Sequence, residues 1–224
     1  MSKFTLYAHD GPGPNPVKAA IILDELDLDY EIKAIPFGPE GVKGAAYLKI
    51  CPNGRVPALV DHQNGDFVVW ESAAILQYVA AKYDKSGSWA GKTVEEQATV
   101  NQWLAFQISG LGPTQGNVNF NKLYFEGAMG EKPSAGLVKR FRDECARIYG
   151  VLEKQLEHQE YIALDRITIA DVAYLPWLHK DMVGFGDLTD IFSKYPKAVA
   201  WIEKLSARPA TQKAYKKLSA AYGK

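Results

Sequence analysis

Residues 51–79 read CPNGRVPALVDHQNGDFVVWESAAILQYV, and this stretch spells out two strands, a turn and a helix in succession. PALV at 57–60 and FVVW at 67–70 are short apolar runs of strand composition. The polar DHQNGD between them holds Asn64-Gly65, a strong hairpin dipeptide. The connection is longer than two residues, which leaves the turn type open. Residues 71–83 (ESAAILQYVAAKY) then have the composition of a helix, with Ser72 near its start.

Working upstream, KFTLY at 3–7 is a short apolar run stopped by HDG, as expected of a first strand. Glycines and prolines crowd residues 11–16, which argues against regular structure there. A helix is expected over 16–27, where Val17, Ala20, Ile21 and Leu23 have helical spacing and Pro16 suits the first position. YEIKAI at 30–35 has strand composition, and 41–49 reads as a weak, glycine-interrupted helix. A βαβ unit followed by ββα implies a small mixed sheet with helices on its faces.

Downstream, DKSGSWAGK at 84–92 is small and polar, as in a linker. From Thr93 onward strand-like alternation gives way to helical segments such as VEEQATVNQWLAFQISGL, LVKRFRDECARIYGVLEKQLE and KAVAWIEKLS. The expected organisation is therefore an α/β domain over 1–85 with order βαβαββα, a linker over 86–92, and an all-helical domain over 93–224.

Composition narrows the function classes. With 47% hydrophobic residues the 224-residue chain can bury a sizeable core. Lys+Arg and Asp+Glu both number 26, and zero net charge argues against nucleic acid or an anionic membrane as partner. The two cysteines, Cys51 and Cys145, form neither a disulfide framework nor a metal set, which favours a reducing compartment. The N-terminus lacks an apolar leader core, and no run approaches the roughly 20 apolar residues of a membrane span. A cytoplasmic protein is expected.

Three motifs, CPNGRVPALVD at 51–61, VVWESAAILQYV at 68–79 and ITIADVAYLPW at 167–177, occur in an order that resembles the glutathione transferase family over essentially the whole chain. GPNPVKAAIILDEL, QWLAFQISG and RFRDECARIYGVLE are more narrowly similar to the asparagine-type fungal subclass related to the yeast nitrogen-regulator prion protein. The asparagine-rich tract of that prion protein has no counterpart here, so prion behaviour is not implied. The resemblance implies a thioredoxin-like first domain, glutathione as co-substrate with no metal or other cofactor, and a homodimer.

The residues carry this chemistry as follows. Pro57 opens a strand, where the residues alone leave cis and trans equally open. The resemblance implies cis, with the Val56 backbone turned outward to pair with a bound tripeptide. At a strand-to-helix junction, the Ser72 hydroxyl and first-turn N–H groups make an anion site, and Glu71 adds a carboxylate beside it. That pair suits the carboxylate and ammonium of a γ-glutamyl group; the plain alternative is a helix cap. Arg55 and Lys43 are candidates for the glycine carboxylate.

Free thiols ionise at a pKa of roughly 8.5, so the enzyme needs a donor aimed at the sulfur. No Ser or Cys lies between residues 8 and 20, but Asn15 does, beside the first helix. Its amide donates a hydrogen bond but takes no proton. Tyr7, at the end of the first strand, is the rival. Cys51 reads as a passive thiol. The aromatics Phe106, Phe120, Tyr124, Phe125 and Trp177 are candidates for an apolar wall that receives small hydrophobic electrophiles. Conjugation, with peroxide reduction beside it, is the expected activity. A non-catalytic carrier of glutathione or aromatic ligands is the alternative on the same fold.

Overall fold

The computed structural model describes residues 2–9 and 13–223. Its contacts divide the chain into two compact units, one running to Lys92 and resuming at Ser206, the other Thr93–Leu205.

In the first unit, four strands among the described residues form one mixed sheet: β1 (Phe4–His9), β2 (Tyr30–Ile35), β3 (Ala58–Asp61) and β4 (Phe67–Trp70), in the order β2-β1-β3-β4. β1 is central, and Phe4, Leu6 and Ala8 are fully buried. A strand covered on both faces reads as a nearly continuous apolar run. β1 and β2 are parallel, which requires a crossover, and α1 (Pro14–Glu25) supplies it. α2 is a single turn, Ala45–Leu48, and α3 spans Ser72–Tyr83. A 3₁₀ turn at His62–Asn64, closed by Gly65 at φ 63°, joins β3 to β4.

Register decides where a site can form. β3 runs antiparallel to β1 with Ala58 opposite Tyr7, and β4 returns with Trp70 opposite Ala58. The end of β1, the start of β3 and the end of β4 therefore share one edge of the sheet. α1 follows β1 and α3 follows β4, so both helix N-termini start from that edge. Open sheets of this kind bind ligands beyond the carboxyl ends of their strands.

α1 begins two residues earlier than the sequence suggests, with Pro14 and Pro16 both inside its first turn. The first N–H groups of a helix have no intrahelical partner, so prolines there sacrifice nothing. Gly11 and Pro12 of the expected irregular loop lie outside the described residues.

The second unit, among its described residues, is helical: α4 (Val94–Phe106), α5 (Gly112–Leu123), α6 (Phe125–Met129), α7 (Ala135–Leu156), α8 (Ile169–Leu178), α9 (Lys180–Phe185), α10 (Thr189–Phe192) and α11 (Pro196–Ser206). Gln107–Leu111, between α4 and α5, is a wider π-type turn. α8 is buried along its whole length, which its composition (IADVAYLPWL) permits.

The last helix, α12 (Pro209–Ala221), belongs to the first unit rather than to the helical one. It packs on α1 through charge. Arg208 grips Glu25 with two hydrogen bonds of 2.6 and 2.8 Å. Lys213 and Lys217 reach the buried Asp24 at 3.1 and 2.8 Å, and Tyr30 donates to its other oxygen. Residues 84–92 are a tied turn: Asp84 accepts from the backbone N–H of Ser86 and of Trp89. Among the described residues no helix is long and apolar enough to cross a membrane.

Candidate active site

Asn15, Arg55, Val56, Pro57, Glu71 and Ser72 line one small cavity of about 50 Å³, together with Cys51. These residues come from three separate places in the chain: the first turn of α1, the loop before β3, and the β4–α3 junction.

The loop Cys51–Pro57 is shaped by close contacts. Gly54 has φ +60°, and a Cβ there would come within 2.7 Å of the Val42 carbonyl and 2.9 Å of Lys43 Nζ. Only glycine fits both demands. Tyr47 donates to the Arg55 carbonyl at 2.8 Å and so pins the loop from below. The Val56-Pro57 bond is cis. Lys43 does not line the cavity. Its ammonium donates to the Asn53 carbonyl at 3.0 Å, which holds it beside the loop that carries Arg55.

At the other wall, Glu71 sits at φ 73°, ψ 124°, an unusual conformation for a residue with a side chain. It precedes α3, whose N-terminus no side chain caps. The first-turn N–H groups and the helix dipole are thus directed at the cavity. Glu71 is exposed and accepts from Asn53 Nδ2 at 3.1 Å. Ser72 is buried, and Lys18 donates to its Oγ at 3.3 Å. Burial pushes the Lys18 ammonium down to about 7, and the Glu71 carboxylate partly restores it.

Asn15 occupies the second position of α1. The N-cap is Gly13, with no side-chain cap bond, so Asn15 does not serve as the cap. Tyr7 lies in the core cluster with Val42, Tyr47, Cys51, Val56, Ala58 and Val60. It is 9% exposed, with its ring 5.5 Å from that of Tyr47 and 5.7 Å from the Lys33 ammonium.

The aromatic candidates of the second unit fall into separate places. Phe120 lies 6.4 Å from Tyr124 and 6.1 Å from Phe125, forming one group with Tyr124 exposed. Phe106 pairs with Trp103 at 6.1 Å. Trp177 is buried, and its ring packs where Gly112 and Gly116 of α5 leave room.

Sequence reasoning missed Lys18 and Asn53, and it set Cys51 aside. A lysine on a helix between Val17 and Ala19 reads as a surface charge; its place among apolar neighbours is the only signal. Among the described residues no group of three or more His, Cys, Asp or Glu side chains is placed to hold a metal.

The family model described as the N-terminal domain of glutathione S-transferase matches residues 2–81, and that of the C-terminal domain matches residues 121–209. Glutathione S-transferase 2 of Schizosaccharomyces pombe is 38% identical, over 99% of this chain and 98% of its own. The glutathione transferase URE2P6 of Phanerochaete chrysosporium, solved with oxidised glutathione, superposes with a TM-score of 0.89 at 39% identity, covering 98% of each chain. Ure2p5 of the same fungus, cocrystallised with 1-(S-glutathionyl)-2,4-dinitrobenzene, gives 0.84 at 32% identity, covering all of this chain and 98% of the other. The chain, with its thioredoxin-like first unit and helical second, belongs to the glutathione S-transferase family.

Proposed function

We propose that this protein binds glutathione in the cavity between α1 and α3 and transfers it to small hydrophobic electrophiles. The single observation that carries this reading is the convergence of Asn15, Arg55, Val56, Pro57, Glu71 and Ser72 on one cavity. The Ser72 hydroxyl and first-turn N–H groups of α3 take the γ-glutamyl carboxylate, and Glu71 takes the ammonium. The Val56 backbone pairs with the cysteinyl peptide in the manner of an added strand. Arg55, with Lys43 nearby, faces the glycine carboxylate.

This leaves the sulfur near Asn15. The Asn15 amide donates to it, helped by the positive end of α1, and the thiol proton leaves to solvent. The thiolate then attacks the electrophilic carbon, and the leaving group departs with the bonding pair. With a hydroperoxide, the same thiolate attacks the terminal oxygen, the O–O bond breaks and the alcohol leaves, giving a sulfenic acid on glutathione. A second glutathione thiol attacks that sulfur, and the oxygen leaves as water, giving the disulfide. In the second unit, the Phe120–Tyr124–Phe125 group, with Phe106, is the surface proposed to receive the apolar electrophile. We propose a homodimer, as the family resemblance implies, in the cytoplasm, whose reducing conditions suit two free cysteines.

The test is turnover of glutathione with a panel of aryl halides, isothiocyanates and hydroperoxides. Turnover with one class is expected. Glutathione binding with no turnover across the panel would assign the fold to a carrier instead.

A further inference from the structure

Lys18 is 1% exposed, on the inner face of α1, and its ammonium reaches Ser72 Oγ at 3.3 Å. Burying a lysine is costly, and natural proteins rarely do so without a partner. A serine hydroxyl has one hydrogen to donate and two lone pairs to accept with. An ammonium has only hydrogens to give. When Lys18 donates to Ser72 Oγ, the serine hydrogen must therefore point elsewhere. On the cavity side, elsewhere is the position of the ligand.

We infer that Lys18 is a positioning residue for the γ-glutamyl carboxylate: by donating to Ser72 Oγ from inside the protein, it turns the Ser72 O–H outward as a donor to the ligand and places a positive charge behind it. This rests on the assignment of the γ-glutamyl end to Glu71 and Ser72. A consequence follows from the protonation of Lys18. As a neutral amine it offers a lone pair, accepts the Ser72 hydrogen, and turns that hydroxyl inward. The pocket then meets the carboxylate with a serine lone pair and one positive charge fewer. Lys18 loses its proton near neutral pH, at about 7, so the switch lies within the physiological range.

The groups around Lys18 support assigning the effect to this residue. Glu71, at the start of α3, favours the charged form. Further along α3, Tyr78 and Tyr83 donate to Asp61 and are spent there, while Lys82 lies over both their rings. β1 brings Tyr7, in its core cluster, and His9, stacked on Phe37. From α12, Lys213 and Lys217 are held by Asp24, and Arg208 by Glu25. Asp24 and Glu25 lie six and seven residues along α1, roughly 9–10 Å away.

The sign is fixed. Ligand binding favours protonated Lys18, so affinity is full below about pH 7 and falls as pH rises through the free protein's value. Thiolate chemistry runs the opposite way. The experiment is calorimetric titration with S-methylglutathione, which has no thiol to ionise, from pH 6 to pH 8. It compares the intact protein with Lys18→Arg, which stays charged, and Lys18→Met, which never is, with circular dichroism confirming the fold of each.

The ligand amine titrates alike in all three, so the differences between proteins are the readout. Between pH 6 and 8 the intact protein should weaken about tenfold more than Lys18→Arg, the equivalent of one pKa unit. Lys18→Met should bind about tenfold more weakly at pH 6 and follow the Lys18→Arg slope. Parallel profiles for the intact protein and Lys18→Arg, or a folded Lys18→Met that binds normally at pH 6, would overturn the inference while leaving the glutathione site standing. Failure of the intact protein to bind at any pH would overturn both.

Discussion

Helices α8 and α3 both begin with a hydroxyl and a carboxylate, and they use them in opposite ways. At the start of α8, Asp171 is fully buried, and its two oxygens accept from four donors: the Ile162 N–H at 2.9 Å, Trp201 Nε1 at 3.1 Å, the Thr168 N–H at 2.8 Å and Thr168 Oγ1 at 2.9 Å. Thr168 in turn accepts from the Ala170 N–H. Burial pushes the Asp171 carboxyl up, and those donors work against it. This is a closed capping box whose acceptors are committed within the protein. At the start of α3, Glu71 is exposed in an unusual backbone conformation, and no side chain caps the helix. Its neighbour Ser72 is approached from inside by Lys18. One helix start is built to hold the fold; the other is left without a side-chain cap, and in the function proposed above its donors serve the ligand.

Substitutions should separate the two. Asp171→Ala leaves several buried donors unsatisfied, and we expect it to cost about 3–5 kcal/mol of stability. Thermal or chemical unfolding checks this. A loss under about 1 kcal/mol would erase the contrast. Ser72→Ala should differ. We expect a smaller stability loss, about 1–2 kcal/mol as the buried Lys18 loses an acceptor, with glutathione affinity weakened by about 1–3 kcal/mol, as for a charge-assisted hydrogen bond. Calorimetry alongside melting checks it, and unchanged affinity in the folded variant would make α3 another structural cap. Glu71→Gly should sharpen the comparison. Removing the side chain relieves the backbone, a gain of roughly 1–2 kcal/mol, while ammonium binding is lost. A protein that is both less stable and unimpaired in binding would contradict this.

Much of this was legible in the sequence because it depends on local pattern. The hairpin at 57–70 and the Glu71-Ser72 junction are legible from a few neighbouring residues, while the cis state of Val56-Pro57 is legible only through the family resemblance. Register then does the rest, since pairing Tyr7 with Ala58 and Ala58 with Trp70 gathers these points at one edge. What stayed hidden depends on long-range charge. Nothing local marks α12 as part of the first unit; Asp24 and Glu25 hold it there through Lys213, Lys217 and Arg208, nearly 200 residues away. Lys18 was hidden for a related reason. Side-chain type alone does not tell a solvated lysine from a buried one, because the difference is Ser72, 54 residues distant. The sequence suits Pro16 to the first helical position, but α1 begins at Pro14, because a proline earlier in the first turn costs no hydrogen bond either.

The central claim is that Asn15, not Tyr7, stabilises the bound thiolate. Asn15 lines the cavity from the first turn of α1, while Tyr7 packs among the core residues behind it. The direct test is thiolate absorbance of the protein–glutathione complex as a function of pH, for the intact protein, Asn15→Ala and Tyr7→Phe. We predict that Asn15→Ala binds glutathione almost normally but raises the bound thiol's pKa by about one unit, and that Tyr7→Phe leaves it in place. A thiol pKa that moves with Tyr7→Phe and stays put in Asn15→Ala would contradict the account.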